Sequence, residues 1–307
     1  MSVLYTIKET SEVEYNKVDV FVLGSGLDDR TLTVAENLSK TENHVSTILL
    51  LSYGEYDSTK LQQMFPDISI TIFNISEDST KFLYDLQGCD IFSTPKNIML
   101  DITSIRIPEM FLFMKYLKIK NIQNTIEVTY TTPLEYEFAE EPFTSYHSYY
   151  GNLRTDDLLG FSGTSEDMAH SQMIIFLGFE GVLSAKVNED VKYSKLVLVN
   201  NLPSFFEKYK DISVINNFEL LSNRHDEINY VPANNPFETY NFLNEKLDEA
   251  ELACIAPLST KPVALGVCLY ALTHESLRVV YPTADEYNFH RANSVHKTYL
   301  YTIPLNN

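Results

Sequence analysis

An apolar run that leads directly into a polar turn and then into a second apolar run lies near the carboxyl end of this sequence. Residues 254–258 are Cys-Ile-Ala-Pro-Leu, residues 259–261 are Ser-Thr-Lys, and most of residues 262–272 are apolar again. The first run is typical of a buried strand and the second of a helix. At such a turn in an α/β protein, free backbone N–H groups and the helix dipole bind anionic ligands. The stretch therefore predicts a nucleotide or phosphate site at Ser259, Thr260 and Lys261.

Apolar runs alternate with helix-like segments along the rest of the chain. The strands predicted in the first half cover residues 18–24, 47–53, 68–75, 98–103 and 125–130. Those predicted in the second half cover residues 172–178, 195–200, 277–281 and 298–303, besides the run at 254–258. Nearly continuous apolar strands separated by helices predict an α/β protein with mostly parallel, doubly wound sheets.

The motifs of the first half recur in the same order in the second half. The matched pairs are residues 20–24 with 174–178, 52–53 with 200–201, 104–108 with 259–262, and 128–138 with 279–289. This order predicts duplicated Rossmann-like halves, at residues 1–138 and 172–307, joined by an irregular acidic, Tyr-rich connector at 139–171. A crevice outside the strand ends of the two halves is then the expected binding site.

Composition excludes several classes of function. The formal charge of −19, from 23 Lys and Arg against 42 Asp and Glu, leaves no extended basic surface for duplex nucleic acid. The three cysteines and seven histidines show no metal-ligand spacing, so no metal site is expected. No uninterrupted apolar run approaches membrane-spanning length. We therefore expect a cytoplasmic protein that binds neither membranes nor nucleic-acid duplexes.

The first half carries a similar turn at Thr103, Ser104 and Arg106, which follows Asp101 in an apolar strand. In both halves the hydroxyls and the cation can bind phosphate oxygens. Ser and Thr are also common N-cap residues, so a purely structural role stays open at both turns. Asp101 needs a hydrogen-bond partner if it is buried.

Glycine turns follow the first predicted strand of each half. Asp28, Asp29 and Arg30 come after Gly24 and Gly26, and Glu180 lies in the corresponding place of the second half. Without a third glycine the pattern matches the dinucleotide fingerprint poorly, so NAD or FAD is weakly supported and the cofactor stays unknown. The carboxylates can hold a ribose hydroxyl, bind a metal or act as acid and base, and Arg30 can reach a phosphate. In the alternative, purely structural interpretation, Asp28 or Asp29 caps the following helix and Arg30 lies on its surface.

A tyrosine pair recurs at matching positions in the two halves, Tyr130 with Tyr136 and Tyr281 with Tyr287, starting at the ends of the strands predicted at 125–130 and 277–281. Tyr130 and Tyr281 can stack on a base or donate hydrogen bonds, although aromatic residues of this kind are more often part of a core or its rim. No Gly-rich loop ends in Gly-Lys-Ser/Thr, which excludes the usual P-loop ATPase.

Residues 257–266, Pro-Leu-Ser-Thr-Lys-Pro-Val-Ala-Leu-Gly, resemble the Gly-Gly-Thr-Lys turn of CARF-type Rossmann-like sensor domains. Such domains bind cyclic oligonucleotides across a paired site in prokaryotic defence systems. The chain departs from that pattern at Leu258 and Ser259, where the turn has glycines. The resemblance implies that Thr260 and Lys261 contact the ligand.

Three functions fit these features. The first is binding of a nucleotide or nucleotide-derived signal, as in a defence sensor. The second is an enzyme that cleaves or transfers a group on a nucleotide, with Asp28, Asp29, Asp101 or Glu180 as acid, base or metal ligand. The third is an acidic interaction or immunity protein whose charge binds a partner. The expected partners are thus a nucleotide-like small molecule and, in addition, a protein partner or a second copy of the chain.

Overall fold

The computed structural model describes residues 7–10, 17–26, 30–41, 45–75, 79–121, 125–136, 149–163, 171–222, 228–247, 252–287 and 292–305. The chain divides into two compact units, and each unit is built on one sheet. The first unit comprises Met1–Glu137 with Arg291–Asn307, and the second comprises Phe138–His290.

The strands and helices alternate through most of the described chain. The strands are β1 (Ile7–Thr10), β2 (Val20–Gly24), β3 (Thr47–Ser52), β4 (Ser69–Asn74), β5 (Ile98–Asp101), β6 (Thr125–Tyr136), β7 (Tyr149–Ser162), β8 (Gln172–Phe176), β9 (Lys195–Asn201), β10 (Asn229–Val231), β11 (Ala253–Pro257), β12 (Arg278–Tyr287) and β13 (Ala292–Pro304). The helices are α1 (Thr33–Ser39), α2 (Thr59–Met64), α3 (Ser79–Gln87), α4 (Ile107–Lys120), α5 (Gly181–Asp190), α6 (Glu207–Asn216), α7 (Phe218–Ser222), α8 (Pro236–Lys246) and α9 (Lys261–Ala271).

The sheet of the first unit has the strand order β1-β13-β6-β5-β2-β3-β4. Strands β6, β5, β2, β3 and β4 are parallel, whereas β13 is antiparallel to β6 and β1 is antiparallel to β13. Every residue of β2 is buried, as expected for a central strand covered on both faces. Full burial of a side chain such as Phe21 contributes about 1.5–3 kcal/mol to stability.

The sheet of the second unit has the order β10-β9-β8-β11-β12-β7, in which β7 alone is antiparallel to its neighbour. Its five parallel strands have the same order as those of the first unit. β10-β9-β8-β11-β12 corresponds to β4-β3-β2-β5-β6, so in each unit the third, second, first, fourth and fifth parallel strands along the chain lie side by side. The predicted fold class is confirmed: the protein is α/β, with two mostly parallel Rossmann-like sheets.

The two units differ from the predicted division of the chain at two places. Residues 149–162 lie within the predicted irregular connector but form β7, an edge strand of the second unit. Many of its side chains are exposed, so the strand carries little apolar periodicity. Residues 139–148 and 164–170 of the predicted connector lie outside the described residues. The last strand, β13, was predicted in the second half. It belongs to the first unit, because it is hydrogen-bonded to β6 of that unit's sheet.

Candidate functional site

The strand order places a topological switch point in each sheet. The chain leaves β2 toward β3 on one side and returns to β5 on the other, so the loops after β2 and β5 diverge from adjacent strand ends. In the second unit the corresponding neighbours are β8 and β11. In open α/β sheets, ligands bind outside the carboxyl ends of the strands at this point.

The two loops at the switch point of the first unit pack closely against each other. A Cβ atom at Gly24 would lie 2.7 Å from the carbonyl carbon and oxygen of Ser104. A Cβ atom at Gly26 would lie 2.3 Å from Thr31 Oγ1 and 2.6 Å from Ser104 Oγ. These two hydroxyl oxygens are 2.9 Å apart and share a hydrogen bond. The glycines therefore allow the two loops to approach each other and bring a pair of hydroxyls beside bare backbone.

Both loops also carry an arginine. Arg30, in the loop after β2, is 9% exposed, and its Nη1 donates to the carbonyl oxygen of Thr131 in β6 at 3.4 Å. Arg106, in the loop after β5, lies with its Cζ 4.4 Å from the ring centroid of Tyr53, which follows β3. Since the strand order is β6-β5-β2-β3, each loop extends its arginine across the end of the other loop's strand. We call Gly26, Arg30, Thr31, Ser104 and Arg106 the arginine site.

Tyr53 connects Arg106 to a buried carboxylate at the start of α4. The backbone N–H of Arg106, the N-cap residue, donates to the Tyr53 hydroxyl at 2.9 Å. Burial raises the pKa of Tyr53 well above its usual value, and the carboxylate of Glu109 raises it further, while the N–H and charge of Arg106 lower it. Glu109 is 4% exposed and lies in the first turn of α4, where the helix dipole stabilises a negative charge. In a capping box, the side chain at N3 contacts the backbone N–H of the N-cap residue directly. Here N3 is Glu109, and the Tyr53 hydroxyl lies between it and the N–H of Arg106.

Asp101 holds the loop after β5 in place. It is 1% exposed, and its Oδ1 accepts from the backbone N–H of Thr103 at 3.0 Å and from the Thr103 hydroxyl at 2.5 Å. The Thr103 hydroxyl oxygen in turn accepts from the N–H of Thr131 at 2.9 Å. The buried carboxylate therefore has the partner that its position in an apolar strand requires, and Thr103 ties this loop to β6.

At the switch point of the second unit, the loops meet in a related way but with different residues. A Cβ atom at Gly178 would lie 2.1 Å from the carbonyl oxygen of Leu258. Asn201, at the end of β9, extends across the end of β8 and donates from Nδ2 to Ser259 Oγ at 2.6 Å. We call Gly178, Asn201, Leu258 and Ser259 the asparagine site.

The predicted residues Thr260 and Lys261 begin α9. Thr260 is its N-cap residue: the hydroxyl accepts from the N–H of Val263 at 3.5 Å and donates to the carbonyl oxygen of Ala233 at 2.6 Å. Lys261, the first helical residue, is partly buried, and Pro262 follows it. The structural interpretation of Thr260 as a cap is thus correct, and Pro262 removes one further N–H from the helix start.

The helix caps align the two predicted turns. Pro108 of α4 and Pro262 of α9 each follow their N-cap residue by two positions. Arg106 therefore corresponds to Thr260 and not to Lys261, whose counterpart is Ile107. The matched segments 104–108 and 259–262 are out of register by one residue, because the first has five residues and the second has four.

Glu180 is the N-cap residue of α5, without a hydrogen bond from its side chain to the helix start. The loop that contains it is fixed by the following helices. Ser213 Oγ and Asn217 Nδ2 donate to the carbonyl oxygen of Gly178 at 3.0 and 2.9 Å, and Asn216 Nδ2 donates to that of Phe179 at 2.6 Å. These side chains satisfy the loop's carbonyl groups and keep its backbone in one conformation.

The remaining predicted residues lie apart from these loop contacts or outside the described chain. Tyr130 is 3% exposed within β6, and its hydroxyl lies 3.4 Å from that of Tyr136. Tyr281, in β12, packs against the core of the second unit. Asp28 and Asp29 lie outside the described residues. The contacts of Thr31, Tyr53, Glu109 and Asn201 were not predictable, because each depends on a neighbour distant in the chain.

Within the described residues, His, Cys, Asp and Glu side chains form no group of three that could hold a metal ion. No helix in the same part of the chain is long and apolar enough to cross a membrane.

No protein-family model matches the chain, and no curated protein matches it. One similar solved structure is PA1789, a functionally unknown protein from Pseudomonas aeruginosa PAO1, which is 11% identical over 86% of this chain and 92% of its own, with a TM-score of 0.26. Another is the cytoplasmic domain of a prokaryotic cation chloride cotransporter, which is 13% identical over 87% of this chain and 96% of its own, also with a TM-score of 0.26. Scores this low carry no argument about function, and the fold follows from the chain's own strand order.

Proposed function

We propose that the first unit binds a phosphate-bearing small molecule of the nucleotide class at the arginine site. The observation that carries this proposal is the position of Arg30 and Arg106, which are the two arginines of residues 1–137 and both lie in the switch-point loops. In a chain of net charge −19, these two cations, Arg30 toward β6 and Arg106 toward β3, favour an anionic ligand at the switch-point loops.

The chemistry around the arginines supports a phosphate. Guanidinium groups form charge-assisted, often bidentate hydrogen bonds to phosphate oxygens. The hydroxyls of Thr31 and Ser104 lie beside Gly26, where the backbone is uncovered by a side chain. The ring of Tyr53 supports the guanidinium of Arg106 from one side and limits the number of conformations it can adopt.

The enzyme hypothesis receives less support from the same residues. Asp101, one of its four candidate carboxylates, accepts two hydrogen bonds from Thr103 and serves the loop's conformation. The resemblance of residues 257–266 to CARF-type turns stays a prediction, and the proposal for the first unit does not depend on it.

Thermal unfolding of the full chain with a panel of mono-, di- and cyclic nucleotides tests the proposal. A nucleotide present at a hundred times its dissociation constant should raise the free energy of unfolding by about 2.7 kcal/mol. The Arg106→Gln variant should lose this stabilisation, while its main-chain hydrogen bond to Tyr53 is retained. Arg154→Gln is the matched control, because Arg154 is 60% exposed and pairs with Asp156 in the second unit. No stabilisation by any nucleotide would refute the proposal.

A further inference from the structure

Asn201 carries a buried polar atom that its surroundings leave unsatisfied. The residue is 9% exposed, and its Oδ1 has no hydrogen-bond partner among the described residues. The same amide group contacts Ser259 through Nδ2, so both of its heteroatoms lie directly before the start of α9. A buried amide oxygen without a partner reduces stability, and one at a switch point indicates a bound group that supplies the missing hydrogen bond.

The two amide atoms of Asn201 are assigned from the hydrogen bond to Ser259: Nδ2 donates to Ser259 Oγ at 2.6 Å, and Oδ1 is the atom without a partner among the described residues.

The chemistry of this place differs from that of the arginine site. Thr260 already caps the N–H of Val263, and Pro262 has no N–H, so the start of α9 offers few backbone donors to an anion. The amide of Asn201 and the hydroxyl of Ser259 are neutral groups that can each accept and donate. Such a pair suits an uncharged hydroxylated ligand, whose O–H groups donate to one partner and accept from another.

We infer that the asparagine site of the second unit is a second ligand site, which binds an uncharged hydroxyl-bearing small molecule through Asn201 and Ser259. This inference is independent of the arginine site, since it rests on different residues in the other unit.

The test measures the melting temperature of the full chain with D-ribose, D-glucose and adenosine as neutral probes and with inorganic phosphate as the anionic probe. At least one neutral probe should raise the melting temperature in a concentration-dependent way. Asn201→Leu should weaken its binding about tenfold or more, and Arg154→Gln, at an exposed residue of the same unit, should leave it unchanged.

A second measurement needs no variant. In the ¹⁵N–¹H spectrum of the natural chain, the side-chain amide signal of Asn201 should shift as the binding probe is added. The inference is overturned if no neutral probe binds, if binding survives in Asn201→Leu without a shift of this signal, or if phosphate alone perturbs it.

Discussion

The Tyr53 hydroxyl accepts a hydrogen bond from the backbone N–H of Arg106 at 2.9 Å, while its ring lies 4.4 Å from the Arg106 Cζ atom. One side chain thereby fixes both the main chain and the charged group of the residue on which the proposed phosphate site depends. Tyr53 is distant from Arg106 in sequence and follows a different strand, β3, so the site requires the folded sheet.

The first prediction concerns the hydroxyl of Tyr53. Tyr53→Phe keeps the ring beside Arg106 but removes the hydroxyl that accepts from the backbone N–H of Arg106. It also alters the surroundings of buried Glu109. We expect a loss of about 1–3 kcal/mol in the free energy of unfolding, measured by urea denaturation, since buried polar groups lose their partners. Tyr84→Phe, at a residue that is 72% exposed, should change it by less than about 0.5 kcal/mol. Equal effects of the two substitutions would show that the Tyr53 hydroxyl does not fix the loop.

The second prediction concerns the glycines at the switch points. In Gly24→Ala and Gly178→Ala the new methyl group meets backbone atoms at 2.7 and 2.1 Å. Backbone cannot rotate away as a side chain can, so each change should destabilise its unit by about 1–3 kcal/mol or more. Gly88→Ala is the control, because its nearest contact would be an ordinary 3.5 Å. The free energy of unfolding of all three variants is measured by chemical denaturation. A Gly178→Ala variant as stable as the natural chain would mean that the two loops can move apart.

The third prediction separates a structural from a catalytic Asp101. Asp101→Ala removes the acceptor of two buried donors on Thr103, so it should destabilise the chain by about 1–3 kcal/mol for each group left unsatisfied. Asp85→Ala, which removes a surface ion pair with Lys81, should cost about 0.5 kcal/mol or less. A stable Asp101→Ala variant that binds nucleotide but lacks a turnover seen in the natural chain would support the enzyme hypothesis instead.

The fourth prediction concerns alkaline pH. Tyr301 is fully buried in β13, and burial raises its pKa well above the ordinary value of 10.0. Below pH 10.0 the Tyr301 hydroxyl keeps its proton in both the folded and the unfolded chain, so its contribution to stability is constant. Above pH 10.0 the hydroxyl ionises in the unfolded chain but not in the folded chain. The free energy of unfolding should then fall by about 1.4 kcal/mol per pH unit for each such tyrosine. Tyr53, whose pKa is also raised, adds to the same loss.

Urea denaturation at several pH values from 8 to 11 measures this dependence. The variant Tyr301→Phe should show a shallower decline than the natural chain above pH 10, whatever its stability at pH 8. Identical slopes would show that the Tyr301 hydroxyl ionises in the folded state as readily as in the unfolded chain.

Strand positions in the buried sheets were predictable because their sequences are nearly continuous apolar runs. The predicted strands at 47–53 and 195–200 match β3 and β9 within one residue. Edge strands were not predictable in this way. β7 presents many exposed side chains, and β10 has three residues, so neither produces a long apolar run. β6 and β13 extend well beyond their predicted ends, since their register is set by pairing with each other.

The position of the candidate loops was predictable from the sequence, whereas their binding role stays a prediction. The turns at Ser104 and Ser259 lie at the two switch points, as the strand-to-helix patterns indicated. The equivalence of Arg106 and Lys261 was wrong by one helical position, because the match did not fix the N-cap. Tyr53 and Asn201 became candidates only through contacts with loops more than fifty residues away, and a single sequence does not show such contacts.

The most direct measurement of the central proposal is a calorimetric titration with the nucleotide that stabilises the chain most. The natural chain, Arg106→Gln and Arg154→Gln are compared at the same ionic strength, because screening weakens every phosphate contact. We predict that Arg106→Gln binds at least about tenfold more weakly, since a hydrogen bond to a charged group contributes about 1.5–3 kcal/mol. Arg154→Gln should bind like the natural chain. Equal dissociation constants for all three proteins would contradict a phosphate site at Arg106.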